Sequence, residues 1–286
     1  MLLFLWLSCT TDVQIAKVNE PSHDTSEIII VDSGEPSSEP SAPAAGISGY
    51  TYLHLKQVAC PACMGETQEI AITFTAEFHD PISDTHTGWI PIPGQCTTSL
   101  TGTDPSTIPL SVGSSISVSG IVHDFIAPMV SPGYYETTSI WESQLERDTS
   151  YNITTDAGNY SFLSSHGFDY IEPWEMLYVD PSYAFAAVID RNGTSFFWGP
   201  SNTDSIFMIV VAVYSYDGSQ ILGHVACGGY DNGTMVIPST YLQYPVGSLA
   251  AIHLSRHKIE LVETNINNSY IETHMEWEVI GTGHVE

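Results

Sequence analysis

Residues 70–79 alternate between apolar and polar faces, with Ile70, Ile72, Phe74, Ala76 and Phe78 set against Thr73, Thr75, Glu77 and His79. Successive side chains of a strand point to opposite faces, so a period of two is the mark of a strand that buries one side. Ile116 and Val118 alternate with serines in the same way. Further strands are expected over residues 183–189, 194–198, 205–215, 221–227, 234–237, 249–261 and 271–280, which are rich in β-branched and aromatic residues. Asn192-Gly193, Asp217-Gly218 and Asn232-Gly233 supply the positive φ angles of tight turns, and the first of them reads as a hairpin joining 183–189 to 194–198. Residues 136–147, with Ile140, Trp141 and Leu145 inward, form the one stretch with helical spacing. The expected fold is all-β, an antiparallel sandwich.

The last third has a distinctive order. Trp198 ends a strand, residues 206–214 form the next, Ile237-Pro238 precedes a turn, and Pro245-Val246-Gly247 leads into the strand at Leu249. This layout resembles a fibronectin type III or related immunoglobulin-like β-sandwich spanning residues 182–286. The resemblance implies a module that acts as a spacer or a binding surface. Residues 50–181 then form a second β-rich domain or the remainder of one elaborated sandwich.

At the other end, Leu2, Leu3, Phe4, Leu5, Trp6 and Leu7 make a short apolar run, followed by Ser8 and Cys9. The run is far too short to span a bilayer, and a small residue directly before the cysteine suits cleavage. It resembles the start of a bacterial lipoprotein. That resemblance implies a signal segment over residues 1–8, lipidation of Cys9 and, with Thr10 rather than Asp following it, an outer-membrane address in the cell envelope. Residues 9–49 carry Glu20, Asp24, Glu27, Asp32, Glu35 and Glu39 among Pro21, Pro36, Pro40 and Pro43. Such a segment buries too little apolar surface to offset its ordering entropy and is expected to be a disordered acidic tether.

The formal net charge of -27, with only six Lys and Arg, repels phosphate backbones, so nucleic acid is excluded as a partner. Beyond Cys9 there are four cysteines, Cys60, Cys63, Cys96 and Cys227, an even set that favours disulfides in an exported chain and permits three pairings. Cys60-Pro61-Ala62-Cys63 has redox-motif spacing, but no helix follows to stabilise a thiolate. His54, Cys60, Cys63 and Met64 offer soft ligands for copper, although structural bridging is the reading taken and no cofactor is expected.

Glu77, His79 and His86, with Asp80 and Asp84 between them, form a weak candidate metal set, weighed against a solvated strand face and turn. Glu272, His274, Glu276 and Glu278 alternate with Thr273, Met275, Trp277 and Val279, which reads as a strand burying its apolar face beneath a solvated, charged outer face. There is no Gly-x-Ser-x-Gly, His-Glu-x-x-His or phosphate-binding glycine loop, and no catalytic residue is identified. Trp141, Trp174 and Tyr178, near Glu172, Glu175 and Asp180, are the residues that would stack on sugar rings. The function expected is that of a lipid-anchored envelope protein with a structural or adhesive role toward another protein or a glycan. The alternative is carbohydrate binding or processing by the aromatic region.

Overall fold

The computed structural model describes residues 46–58, 71–83, 85–99, 107–119, 123–138, 140, 151–155, 161–164, 187–200, 205–264 and 269–286. Cys9, residues 1–45, Cys60, Cys63, Trp141, Trp174 and Tyr178 lie outside the described residues, as does most of the expected helix; residues 46–49, at the end of the expected tether, lead into and begin the first strand, and Glu136 and Thr137 at the start of the expected helix are strand.

The described residues form fifteen strands and no α-helix: β1 (Ile47–Val58), β2 (Ala71–Ile82), β3 (Cys96–Thr97), β4 (Ser115–Ser119), β5 (Phe125–Ser131), β6 (Tyr134–Thr137), β7 (Tyr151–Thr155), β8 (Ser161–Ser164), β9 (Ala187–Ile189), β10 (Gly193–Phe197), β11 (Ile206–Tyr214), β12 (Ile221–Tyr230), β13 (Thr234–Pro238), β14 (Leu249–Glu263) and β15 (Tyr270–Val285). The all-β expectation holds. One large sheet runs β3-β12-β11-β14-β15-β1-β2-β6-β5-β4-β7-β8, with β9 added beside the end of β15, and β10 pairs with β13 in a small second sheet. The large sheet is mixed rather than purely antiparallel, because β1 and β9 both run parallel to β15.

β15 is the spine of this arrangement. Residues 270–284 of it pair with β14 on one side, while β1 and then β9 share the other. A strand with neighbours on both sides has its ladder satisfied by protein, which is why so long an element is stable without reaching an edge. Its odd-numbered residues, Ile271, Met275, Trp277 and Val279, are buried together with Leu254 and Ile252 of β14 and Phe207, Ile209 and Val211 of β11. The small sheet closes this core through Phe196, Ile237 and Trp198, whose ring stacks on Phe207 with centroids 3.7 Å apart.

Asn192-Gly193 does turn the chain, with Gly193 at φ 122 and its N–H donating to the carbonyl of Asp190 at 3.0 Å. It does not make the expected hairpin. β9 joins the large sheet and β10 the small one, so the turn carries the chain between layers. Asp217-Gly218, by contrast, joins β11 to β12 as an antiparallel pair.

Candidate functional site

Three adjacent strands each carry polar groups at every second position: Tyr50, Tyr52 and His54 on β1, Glu272, His274, Glu276 and Glu278 on β15, and His253, Ser255 and His257 on β14. Register aligns them on one face. Tyr50 lies beside Glu272, Tyr52 beside His274 and His54 beside Glu276, while His257 is opposite Glu276 and Ser255 opposite Glu278. Each β1 side chain then reaches the β15 residue two positions beyond its neighbour. Tyr50 Oη is 2.8 Å from His274 Nδ1, Tyr52 Oη donates to Glu276 Oε2, and His54 Nε2 is 3.0 Å from Glu278 Oε2. From the β14 side, His257 Nδ1 is 2.9 Å from His274 Nε2, Ser255 Oγ is 2.6 Å from His257 Nε2, and His253 Nδ1 is 2.5 Å from Glu278 Oε1.

Residues 85–95 roof the row. The His86 ring stacks on Tyr50 at 4.9 Å, and its backbone N–H donates to Glu272 Oε2 at 3.1 Å. Trp89 presents its ring edge-on to His257, with centroids 5.8 Å apart. Farther along, Gly94 and Gln95 exchange backbone hydrogen bonds with Gly228 of β12, and Cys96 is disulfide-bonded to Cys227. The loop is therefore pinned to the strand it crosses.

This overturns the solvated outer face read from the β15 sequence, since Glu272, His274, Glu276 and Glu278 are 0%, 1%, 5% and 9% exposed. Alternation identified which residues share a face; it carried no information about what covers them. The covering loop comes from nearly two hundred residues earlier in the chain. A signal was present in the matching Tyr50/Tyr52/His54 and His253/Ser255/His257 stripes, because polar rows on three strands are a costly pattern unless they meet.

Burial sets the electrostatics. It lowers the pKa of His257, and lowers that of His274 further with the help of neighbouring His257 and His54, so both rings favour the neutral form. Burial raises Glu272 despite the hydrogen bonds from Thr87 and His86. At the more open end of the row burial also opposes the charged forms, but hydrogen bonding wins. His54 is raised by Glu278 and Glu276, and Glu278 is held below the usual carboxylate range by His253 and His54. Burial, then the charges of Glu272 and Glu276, pushes the Tyr50 hydroxyl up, keeping it a donor.

Two sets of three donors lie within 4.8 Å of one another among the described residues: His257, His274 and Glu276, and His54, Glu276 and Glu278. Glu276 belongs to both. Of the residues singled out from sequence, His79 and His86 come together with their Nε2 atoms 2.9 Å apart, while Glu77 Oε1 accepts a hydrogen bond from Thr107 Oγ1 at 3.3 Å. His54 takes its place in the row. Cys96 and Cys227 pair with each other. No protein-family model matches the chain, and no curated protein matches it either.

Proposed function

We propose that this is an exported, lipid-anchored cell-envelope protein, held through Cys9 and an acidic tether, whose β body serves as a structural or adhesive platform for an envelope protein or a glycan. The observation that carries the reading is the Cys96–Cys227 disulfide, which closes a separation of 131 residues and pins a loop across a buried polar face. Disulfides of this structural kind persist in oxidising compartments and are rare in the cytosol. The net charge of -27 further suits a soluble surface held off from anionic membranes.

An immunoglobulin-like sandwich over residues 182–286 belongs to the same proposal. The order β12-β11-β14-β15 corresponds to the C′, C, F and G strands of such domains, and the β10–β13 pair to B and E. β9, running parallel to the end of β15, fits a first strand that crosses toward G. Trp198, packed on Phe207, fills the inter-sheet core, and Leu242 is buried in the turn after β13. Around the β11–β12 turn, Tyr216, Ile221, Leu222, Val246 and Leu249 are exposed apolar side chains, the composition expected of a contact surface.

The test is metabolic labelling with a radioactive fatty acid in a bacterial host, followed by envelope fractionation. The expected result is label in the wild-type chain in the membrane fraction, and neither label nor membrane retention in Cys9→Ala. Label retained in Cys9→Ala, or wild type found unlabelled in the cytosol, contradicts the proposal.

A further inference from the structure

We infer that His257, His274 and Glu276 form a binding site for a late first-row divalent cation, of which Zn(II) is the representative, inside the body of the protein. The three donor groups come from two adjacent strands whose register brings them together, and they lie within 4.8 Å of one another with no other chain required. His257 Nδ1 and His274 Nε2 point at each other across 2.9 Å, and both rings are fully buried. Rigid strands position ligands more tightly than loops do.

The groups behind these donors strengthen the case. In a metal site the ligating ring uses its other nitrogen to donate to an oxygen, which sets both tautomer and orientation. Here the outer nitrogen of His274 meets Tyr50 Oη at 2.8 Å, and the second nitrogen of His257, itself 3.9 Å from Glu276 Oε1, meets Ser255 Oγ at 2.6 Å. Tyr52 Oη holds the Glu276 carboxylate in the same manner. With no ion, one of the two facing nitrogens must carry a proton. With an ion between them, that proton sits on an outer nitrogen and donates to the waiting hydroxyl, so neither ring need become charged.

Charge argues in the same direction. Glu272, Glu276 and Glu278 are buried along one strand, and His54, His253 and Lys56, the cationic partners of Glu278, gather at the far end of the row from Glu272. Buried carboxylates are costly without a compensating cation. Two imidazoles and a carboxylate suit Zn(II) and its neighbours, whereas Ca(II) and Mg(II) require six or more oxygens. His54, which forms the second set around Glu276 with the buried Glu278, is partly exposed and provides the entry side.

The experiment uses the purified full chain, stripped with a chelator and titrated with Zn(II) by calorimetry, with Co(II) absorption and X-ray absorption as ligand readouts. One ion per chain is expected, with two imidazoles and oxygen in its coordination shell. His257→Gln and Glu276→Gln are each expected to weaken binding by at least about tenfold while leaving the metal-free circular dichroism spectrum unchanged. His284→Gln, at a half-buried histidine near the C-terminus and outside the site, leaves affinity as in wild type. If the substituted chains do not fold, the imidazole count on wild type decides. Absence of saturable binding, sulfur or all-oxygen ligation, or unchanged affinity in both folded variants overturns the site.

Discussion

The carbonyl of Pro91 lies so close over Gly228 that a Cβ at that glycine would come within 2.2 Å of the Pro91 oxygen. No backbone adjustment confined to a side chain relieves such a contact, because both partners are main chain and the adjoining Cys96–Cys227 bond holds them together. Gly228→Ala is expected to lift the 85–95 loop and to destabilise the protein by about 1–3 kcal/mol. Urea unfolding measures the cost. Hydrogen exchange should quicken in residues 85–95 before it does in β11; unchanged protection of the loop would contradict the close approach.

Reducing the disulfide removes a constraint on a long stretch of chain. The expected loss is about 2–5 kcal/mol. Because the bond ties the roof to β12, the new cuts that limited proteolysis makes after reduction should appear first between residues 85 and 99, and new cleavage elsewhere in the β body first would contradict the assigned role. Cys96→Ala with Cys227→Ala tests the same point without reductant.

Arg256 and Asp231 form an ion pair with both side chains almost fully buried. Asp231 also accepts from Trp198 Nε1 at 2.6 Å and Ser205 Oγ at 2.9 Å, while Arg256 Nη2 donates to the Gly199 carbonyl at 2.8 Å. Asp231→Ala strands a buried guanidinium and is expected to cost about 3–5 kcal/mol. Replacing both, as Arg256→Met with Asp231→Leu, should cost much less than the single change. Denaturant midpoints for the set give the answer, and additive losses would show that the pair is not coupled.

Asp217 in the β11–β12 turn accepts hydrogen bonds from Ser215 Oγ at 2.6 Å, from the Ser219 N–H at 3.1 Å and from Ser219 Oγ at 2.8 Å. These hold its pKa down to about 2, led by the Ser215 hydroxyl. A depressed carboxylate contributes stability above its unfolded pKa, near 3.9, and loses it as pH falls through the folded value. Carbon-13 NMR of the Asp217 carboxyl should give a midpoint near 2, displaced upward in Ser215→Ala. An ordinary midpoint in wild type would contradict the turn geometry.

Much of the secondary structure was readable from the chain because strand period and turn chemistry are local. The segments around Phe74, Val211 and Val279 are strands where alternation and β-branching put them; β11 stops one residue inside each of its expected ends, and β12 and β14 extend only slightly beyond theirs. What sequence could not carry was long-range. The parallel pairing of β1 with β15 joins residues more than two hundred positions apart, and it is this pairing that turns Tyr50, Tyr52 and His54 toward the acids of β15. The Glu272–Glu278 stripe likewise looked solvated because its roof is distant in sequence. Four cysteines allowed three pairings, and only the β12–β3 register, with Cys227 opposite Cys96, selects one bond among the described residues.

A loop is stapled over a buried polar row, and the chain is proposed to be exported and anchored through Cys9. Mass analysis of the native protein, intact and after non-reducing digestion, tests it most directly. The predicted result is a mature chain beginning at acylated Cys9 together with a cross-linked peptide pair containing Cys96 and Cys227. An unacylated chain that retains Met1 and carries a free thiol at Cys96 would contradict it.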